Sequence, residues 1–221
     1  LNGRLSELTS ELNNIKVDYN SKSSKYKMYS DMENDYEGYA KSVKAVLKAE
    51  SLKKCSIYGT VAGLIDVGKK YTVAIETALG GSMQNIIVET EEDAKAAIGY
   101  LKQEKCGRAT FLPISSVRGK HLDNARALSA EKGYIGIGTE LISFNDKYRG
   151  IMESLLGRVV VVDNIDNGIA LSRKYGYKFK VVTLDGDVLN SGGSLSGGSA
   201  SRNSGFLSRA ADKKQLKTEL I

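Results

Sequence analysis

The sequence is short of the residues on which most catalytic and metal sites depend. It has one histidine, His121, and two cysteines, Cys55 and Cys106, which form no CxxC pair. A structural zinc site needs four ligands at characteristic spacings, and most hydrolytic mechanisms need a base that no recognisable motif supplies here. We therefore expect a non-enzymatic chain with two reduced thiols and no cofactor or metal.

Long apolar runs are also missing. No stretch approaches the roughly 20 residues that cross a bilayer, and the chain starts at Leu1 without a signal-peptide pattern. We expect a cytosolic fragment of a longer protein, with no membrane partner. The 41% hydrophobic and 26% charged residues are ordinary for a soluble globular domain. The net charge of +6 is compatible with a polyanionic partner but does not require one.

Proline is absent from the first 112 residues, since the single proline is Pro113. Apolar and aromatic residues recur there in alternating steps of four and three, which is the spacing of a coiled-coil seam. An extra three-residue step from Tyr29 to Met32 is a stammer, which locally overwinds a supercoil. The pattern predicts a helix over 1–47, about 70 Å long, that needs a partner helix; a helix folded back on its own domain is the alternative. The predicted seam comprises Leu1, Leu5, Leu8, Leu12, Ile15, Tyr19, Lys22, Tyr26, Tyr29, Met32, Tyr36, Tyr39, Val43 and Val46.

The last stretch, 204–221, is rich in helix-forming Leu, Ala, Lys and Glu. It is the natural antiparallel partner of the first arm within the same chain. Between the arms, strand and helix patterns alternate as two βαβ units. Thr90 is the predicted N-cap of one helix, and Asp185-Gly186 predicts a turn. The predicted elements are 86–89, 91–104, 109–112, 159–162, 165–175 and 179–184.

The two βαβ units resemble each other. Leu64–Gly80 aligns without gaps on Leu141–Gly157, with seven identical residues in seventeen positions, where composition predicts about one. We interpret this as an internal duplication; two unrelated segments with similar local needs are the alternative. The predicted domains are an arm at 1–47, related subdomains at 48–138 and 139–203, and an arm at 204–221. Two similar halves allow head-to-tail dimerisation that closes into a ring.

The segment 190–199 holds four glycines within seven positions. It lacks the lysine of a P-loop and the GxGxxG of a dinucleotide loop. A phosphate-binding loop is therefore the least favoured of three interpretations. The other two are a flexible linker and an ordered segment whose missing Cβ atoms let another backbone approach closely. Leu195, a large apolar residue inside the segment, favours an ordered segment in which this side chain packs. Gly80-Gly81 offers the same property, although a simple helix C-cap is equally compatible with it.

At these residues the chain resembles the hinge domain of SMC (structural maintenance of chromosomes) proteins. Ser191 departs from the pattern, because the family usually has Pro before the glycine pair. The motifs that carry the resemblance are Tyr58-Gly59 before LIDV, AIETALGGSMQNIIVE (74–89), GRATFLP (107–113), VVTLDGDVLNSGG (181–193) and GGSLSGG (192–198).

The resemblance implies a mixed α/β fold of two related subdomains, flanked by antiparallel coiled-coil segments. It implies a homodimerisation hinge that joins two arms of a chromosome condensation and segregation ATPase on the nucleoid. The ATPase heads and any condensin-type partner subunits would lie with the rest of that protein. The family's interface glycines map here to Gly192, Gly193, Gly197, Gly198, Gly80 and Gly81.

Basic residues cluster on both sides of the predicted globule. The family's hinges often bind DNA near the coil junction, and antiparallel arms would bring both clusters to that junction. Phosphate contacts of this kind are independent of base sequence. The alternative is the solvated face of a coiled coil. The predicted DNA-binding residues are Lys48, Lys53, Lys54, Arg209, Lys213 and Lys214, within wider clusters that include Lys41, Lys44, Arg202 and Lys217.

Overall fold

The computed structural model describes residues 2–122, 125–198 and 205–221. The chain divides into a globular unit, Gly38–Ser208, and an arm unit formed by Leu1–Glu37 and Arg209–Ile221. The predicted domain bounds at 47, 138 and 203 remain predictions. Within the described ranges, none of the helices combines the length and the apolar character that crossing a membrane requires.

The elements alternate along the chain much as the sequence patterns predict. The helices are α1 (Asn2–Asn34), α2 (Lys41–Lys48), α3 (Thr72–Leu79), α4 (Glu91–Gln103), α5 (Ala125–Leu128), α6 (Arg149–Leu156), α7 (Ile165–Lys174) and α8 (Phe206–Glu219). The strands are β1 (Ile57–Thr60), β2 (Ile65–Val67), β3 (Ile86–Val88), β4 (Phe111–Pro113), β5 (Tyr134–Ile137), β6 (Ile142–Phe144), β7 (Val159–Val162), β8 (Lys180–Thr183), β9 (Val188–Leu189) and β10 (Leu195–Ser196).

The prediction of one continuous helix over 1–47 is wrong. Helix α1 ends at Asn34, and Tyr36 and Gly38 follow with φ of 52° and 88°, in the left-handed region that commonly terminates helices. The chain then forms α2, in which Val43 and Val46 are 3% and 2% exposed. They pack with α4 residues in a core cluster. Burial of these two valines places α2 in the globular unit, although they continue the heptad spacing of the arm.

In the arm unit, α1 and the residues of α8 from Arg209 onward run antiparallel, as predicted. Lys22 Nζ lies 3.1 Å from a carboxylate oxygen of Glu219, and the Arg209 guanidinium donates a hydrogen bond of 3.2 Å to the Glu37 carbonyl oxygen. Rising residue numbers in the first segment therefore meet falling numbers in the second. Leu1 lies outside the described residues.

Cross-linking tests the intrachain pairing. Lys213 forms an ion pair with Glu33, so thiols placed at both positions in a chain with Cys55→Ser and Cys106→Ser should be joined by a short bifunctional thiol reagent. We expect a product within one chain whose yield does not change on dilution, measured by denaturing gel. Moving the first thiol from Glu33 to Leu5 shifts it about 42 Å along α1 and should abolish the product. Products found between chains and lost on dilution would contradict the intrachain coil.

Each half of the globular unit has the same order of elements. The first half runs β1, β2, α3, β3, α4, β4, and the second runs β5, β6, α6, β7, α7, β8. In both halves the first strand is antiparallel to the strand after the first helix, and that strand is parallel to the last one. The second sheet continues through β9 to β10. The predicted mixed α/β class with two related subdomains is confirmed.

The two halves are joined by an antiparallel pair, β2 with β6. Asp66 pairs with Ser143, Ile65 with Phe144, and Val67 with Ile142. In the ungapped repeat alignment Asp66 is the counterpart of Ser143. The local twofold axis that relates the halves therefore passes through this pair, and the duplication visible in the sequence is a symmetry of the fold.

The valines of β7 show how the core is divided. Val159 and Val161 face a central cluster shared by both halves, while Val160 and Val162 face a cluster that includes Leu171 of α7. Burial on both faces is typical of strands in a parallel pair covered by crossover helices. The central cluster takes residues from α3, α6 and both sheets, so burial of the apolar face of each half depends on the other.

Close backbone approach against α6 provides a stability test. A Cβ at Gly150 would lie 2.8 Å from the Val117 carbonyl oxygen, whereas a Cβ at Gly99, in α4, would meet no atom within 4 Å. We expect Gly150→Ala to lower the free energy of unfolding by about 1–3 kcal/mol. Gly99→Ala should raise it by roughly 0.5–1 kcal/mol, because alanine restricts the unfolded backbone. Urea denaturation followed by circular dichroism measures both, and equal effects would contradict the packing argument.

Candidate dimer interface and basic surfaces

The glycine segment forms a hairpin at one end of the second sheet. Strands β9 and β10 are antiparallel, with Leu189 opposite Leu195. Strand β10 is terminal in the order β10-β9-β8-β7-β5. A terminal strand offers backbone N–H and C=O groups for pairing with another chain.

The hairpin turn requires its first two glycines. Gly192 and Gly193 have φ of 93° and 96°, values that disfavour residues with a Cβ. The Asn190 N–H donates to the Ser194 carbonyl oxygen at 2.9 Å, and the Gly193 N–H donates to the Asn190 carbonyl oxygen at 3.0 Å. Up to residue 198 the segment is therefore ordered, and the linker interpretation does not hold there; Ser199 lies outside the described residues.

The other residues of the hairpin have different surroundings. A Cβ at Gly197 would lie 2.3 Å from Asp187 Oδ1, so contacts within this chain already require glycine there. Gly198 has φ of 140° and open space around its Cβ direction. Leu195 was expected to pack, but its side chain is 54% exposed. The terminal strand that carries this leucine is available for pairing with another chain.

Gly80 and Gly81 lie at the C-terminal end of α3. Gly80 has φ of 50° and ψ of −129°, and its N–H donates to the Glu76 carbonyl oxygen. The C-cap interpretation is therefore correct for Gly80. Gly81 has no positive φ, and a Cβ there would meet none of the described atoms within 4 Å. The described part of the chain thus gives no packing reason for glycine at 81.

Three lysines form a stripe along α2. Lys41, Lys44 and Lys48 follow the i, i+3, i+7 spacing of one helical face. Val43 and Val46 are buried on the opposite face. The sequence cluster thus becomes a basic surface of the globular unit.

The remaining predicted DNA-binding residues are divided between the two units. Lys53 and Lys54 are exposed in the globular unit, and Lys53 forms an ion pair with Glu50. In the arm unit Lys214 is exposed, while Lys213 pairs with Glu33. The Lys213 ammonium and the Arg209 guanidinium thus have partners inside the arm unit. Arg202 lies outside the described residues.

A charged cluster that the sequence did not reveal links the two halves. Lys147 Nζ lies 2.6 Å from a carboxylate oxygen of Glu89 and 4.0 Å from the ring centroid of Tyr58. The hydrogen bonds from Lys147 and then Tyr58 lower the pKa of Glu89, and the bond to Glu89 raises the pKa of Lys147. Lys147 is one of the repeat identities, so the repeat alignment held a signal for it.

Comparison with known proteins agrees with this architecture. A model of the SMC proteins Flexible Hinge Domain matches residues 54–172. The Chromosome partition protein Smc of Desulfitobacterium hafniense (strain Y51) is 38% identical over 213 residues, which are 95% of this chain and 18% of that protein. The corresponding Bacillus subtilis (strain 168) protein is 38% identical over 200 residues, 89% of this chain and 17% of that protein. The chain therefore spans less than a fifth of the length of these relatives.

Solved structures show the same fold. The crystal structure of an asymmetric dimer of the Geobacillus stearothermophilus SMC hinge domain aligns with a TM-score of 0.86 and 35% identity, over 98% of this chain and 87% of that chain. The Pyrococcus furiosus SMC hinge domain aligns with a TM-score of 0.61 and 29% identity, over 80% of this chain and 89% of that one. A duplicated α/β domain with an antiparallel arm unit is thus the architecture of a hinge. The chain belongs to the SMC hinge family, as the sequence motifs predicted.

Proposed function

We propose that this chain is a homodimerisation hinge that joins the coiled-coil arms of two copies of a chromosome condensation and segregation protein. The observation that carries the proposal is the terminal strand β10 with its exposed Leu195. In this proposal the hinge performs no chemistry, and it works in the cytoplasm on the nucleoid. ATPase heads and condensin-type subunits belong to the remainder of the full-length protein.

The duplicated fold supports a closed dimer. The hairpin of the second half in one copy would meet the α3 end of the first half in the other copy, at Gly80 and Gly81. The same contact would recur once by twofold symmetry, which closes the ring and leaves no further site of the same kind. The Geobacillus stearothermophilus relative crystallised as an asymmetric dimer, which supports dimerisation; the twofold symmetry of the ring rests on the duplicated fold.

Light scattering of the unmodified chain tests the proposal. At micromolar concentration we expect the mass of two chains of 23.9 kDa each. A monomer mass throughout the micromolar range would overturn the homodimer.

We also propose weak, sequence-independent DNA binding. The lysine stripe on α2 and the net charge of +6 support it. Three phosphate contacts per copy predict that the logarithm of the binding constant falls with the logarithm of salt concentration with a slope of about −2.7 per copy. Fluorescence anisotropy with two duplexes of unrelated sequence should give the same affinity and slope. A preference of more than tenfold would indicate base readout and contradict a phosphate surface.

A further inference from the structure

Glu76, in the second half of α3, holds the first turn of α8. Its Oε1 accepts hydrogen bonds from the backbone N–H groups of Leu207, at 2.6 Å, and Ser208, at 3.0 Å. Its Oε2 accepts the Ser208 hydroxyl at 3.1 Å. A carboxylate at these N–H groups interacts favourably with the helix dipole, and charge-assisted hydrogen bonds are stronger than neutral ones.

Glu76, Tyr39 and the backbone at Gly205 fit closely against this turn, and we call this set of contacts the seat. Leu207 and Ser208 are 3% and 8% exposed, and the Phe206 ring lies 4.3 Å, centroid to centroid, from that of Tyr39. A Cβ at Gly205 would lie 1.9 Å from Glu76 Oε2. Glycine at 205 therefore lets the backbone reach the carboxylate.

The same residue also contacts the proposed interface. The backbone carbonyl oxygen of Glu76 accepts the N–H of Gly80, the residue that ends α3. The side chain thus holds α8 while the main chain holds the glycine end of α3. Both contacts therefore belong to one residue in the last turn of α3.

The repeat gives a second, independent reason to assign a role to this glutamate. Oε1 of its counterpart Glu153 lies 2.8 Å from Nε2 of His121. A Cβ at Gly119 would lie 2.1 Å from the Glu153 Cβ. The segment that leaves the first half therefore lies on the Glu153 helix, as the segment that leaves the second half lies on the Glu76 helix. In each half, the glutamate at the repeated position contacts the segment through which the chain leaves the other half.

We propose that Glu76 is a positioning residue that couples dimerisation at Gly80-Gly81 to the order of the first turn of α8, whose later residues form the arm unit. Dimerisation strengthens the hydrogen bonds from the Leu207 and Ser208 N–H groups to Glu76. By thermodynamic linkage, those hydrogen bonds raise the affinity of the dimer by the same factor. The coupling rests on the proposed homodimer.

Amide hydrogen exchange tests the seat without the dimer. In a Gly81→Asp background, which is expected to be monomeric, Glu76→Ala and the isosteric Glu76→Gln should speed exchange at Leu207 and Ser208 by about 10-fold or more. Glu153→Gln, at the matched position of the other half, should leave both amides unchanged. Gly205→Ala, whose methyl group displaces the carboxylate, should reproduce the effect and add little to Glu76→Ala. Unchanged exchange in both Glu76 variants would overturn the seat.

The coupling is tested with the unmodified chain over a range of concentrations that spans the monomer–dimer equilibrium. Exchange at Leu207 and Ser208 should slow on dimerisation, and Glu76→Ala should remove this slowing while weakening the dimer by about 10-fold. Equal exchange in monomer and dimer, with an unchanged dissociation constant in both Glu76 variants, would overturn the coupling. A chain that never dimerises would instead overturn the proposed function, while the exchange measurement on the monomer would still report the seat.

Discussion

Gly81→Asp should turn a micromolar dimer into monomers. The substituted side chain meets open space in the isolated chain and requires no positive φ, so the folded monomer should be unaffected. In the proposed interface the carboxylate would be buried without a partner, which costs several kcal/mol. Because about 1.4 kcal/mol is a tenfold change in affinity, the dissociation constant should rise by about 100-fold to 10,000-fold.

Sedimentation equilibrium measures this loss, and Gly99→Asp is the matched control. Gly99 also has open space around its Cβ direction but lies on α4, outside the proposed interface. The control should stay dimeric. Equal dissociation constants for the two variants would remove Gly81 from the interface.

A mixing experiment tests the head-to-tail arrangement. Leu195→Asp places a carboxylate on β10 and should also give monomers. In a mixture of Gly81→Asp and Leu195→Asp chains, one of the two contacts in the ring carries both substitutions and the other carries neither. We expect heterodimers that are stronger than either variant's own dimer. A mixture that remains monomeric at concentrations where one intact contact suffices would contradict the head-to-tail ring.

Charge reversal on α2 should abolish DNA binding. Lys41→Glu, Lys44→Glu and Lys48→Glu together remove three proposed phosphate contacts and introduce three repulsive charges. We expect the affinity for DNA at moderate salt to fall by about 100-fold or more, because phosphate contacts supply most of it. Each lost contact should also lower the salt slope by about one. The dimer mass should not change, because the stripe is distinct from the proposed interface residues.

The control for this variant has the same change in net charge. Lys132→Glu, Arg173→Glu and Lys178→Glu reverse three exposed cations in the second half of the globular unit. If both triple variants lose the same affinity and the same salt slope, net charge rather than the α2 surface explains binding. Anisotropy titrations at several salt concentrations separate the two results.

Elements with strong local signals were predicted well. The helix predicted at 91–104 is α4 at Glu91–Gln103, and Thr90 caps it by accepting the Asp93 N–H. The strand predicted at 159–162 is β7, with all four residues buried. Short-range side-chain periodicity and capping chemistry suffice for these elements because they depend on neighbouring residues.

The break after α1 was missed for the opposite reason. Val43 and Val46 continue the heptad spacing of the arm, and local pattern cannot tell a partner helix from a core. Their burial is decided by α4, which lies about fifty residues later in the chain. Gly38 was the local signal that the helix would end near this point. Its φ of 88° lies in the left-handed region that terminates helices.

The sequence by itself determined the family, the duplication and the two βαβ units, because each is recorded in adjacent residues or in the match of Leu64–Gly80 to Leu141–Gly157. Tertiary structure decided which side chains of these elements meet. It paired Lys213 with Glu33, left Leu195 exposed on a terminal strand, and brought the Glu76 carboxylate to two backbone N–H groups about 130 residues away. Such contacts depend on chain packing across long sequence separations, and no local pattern encodes them.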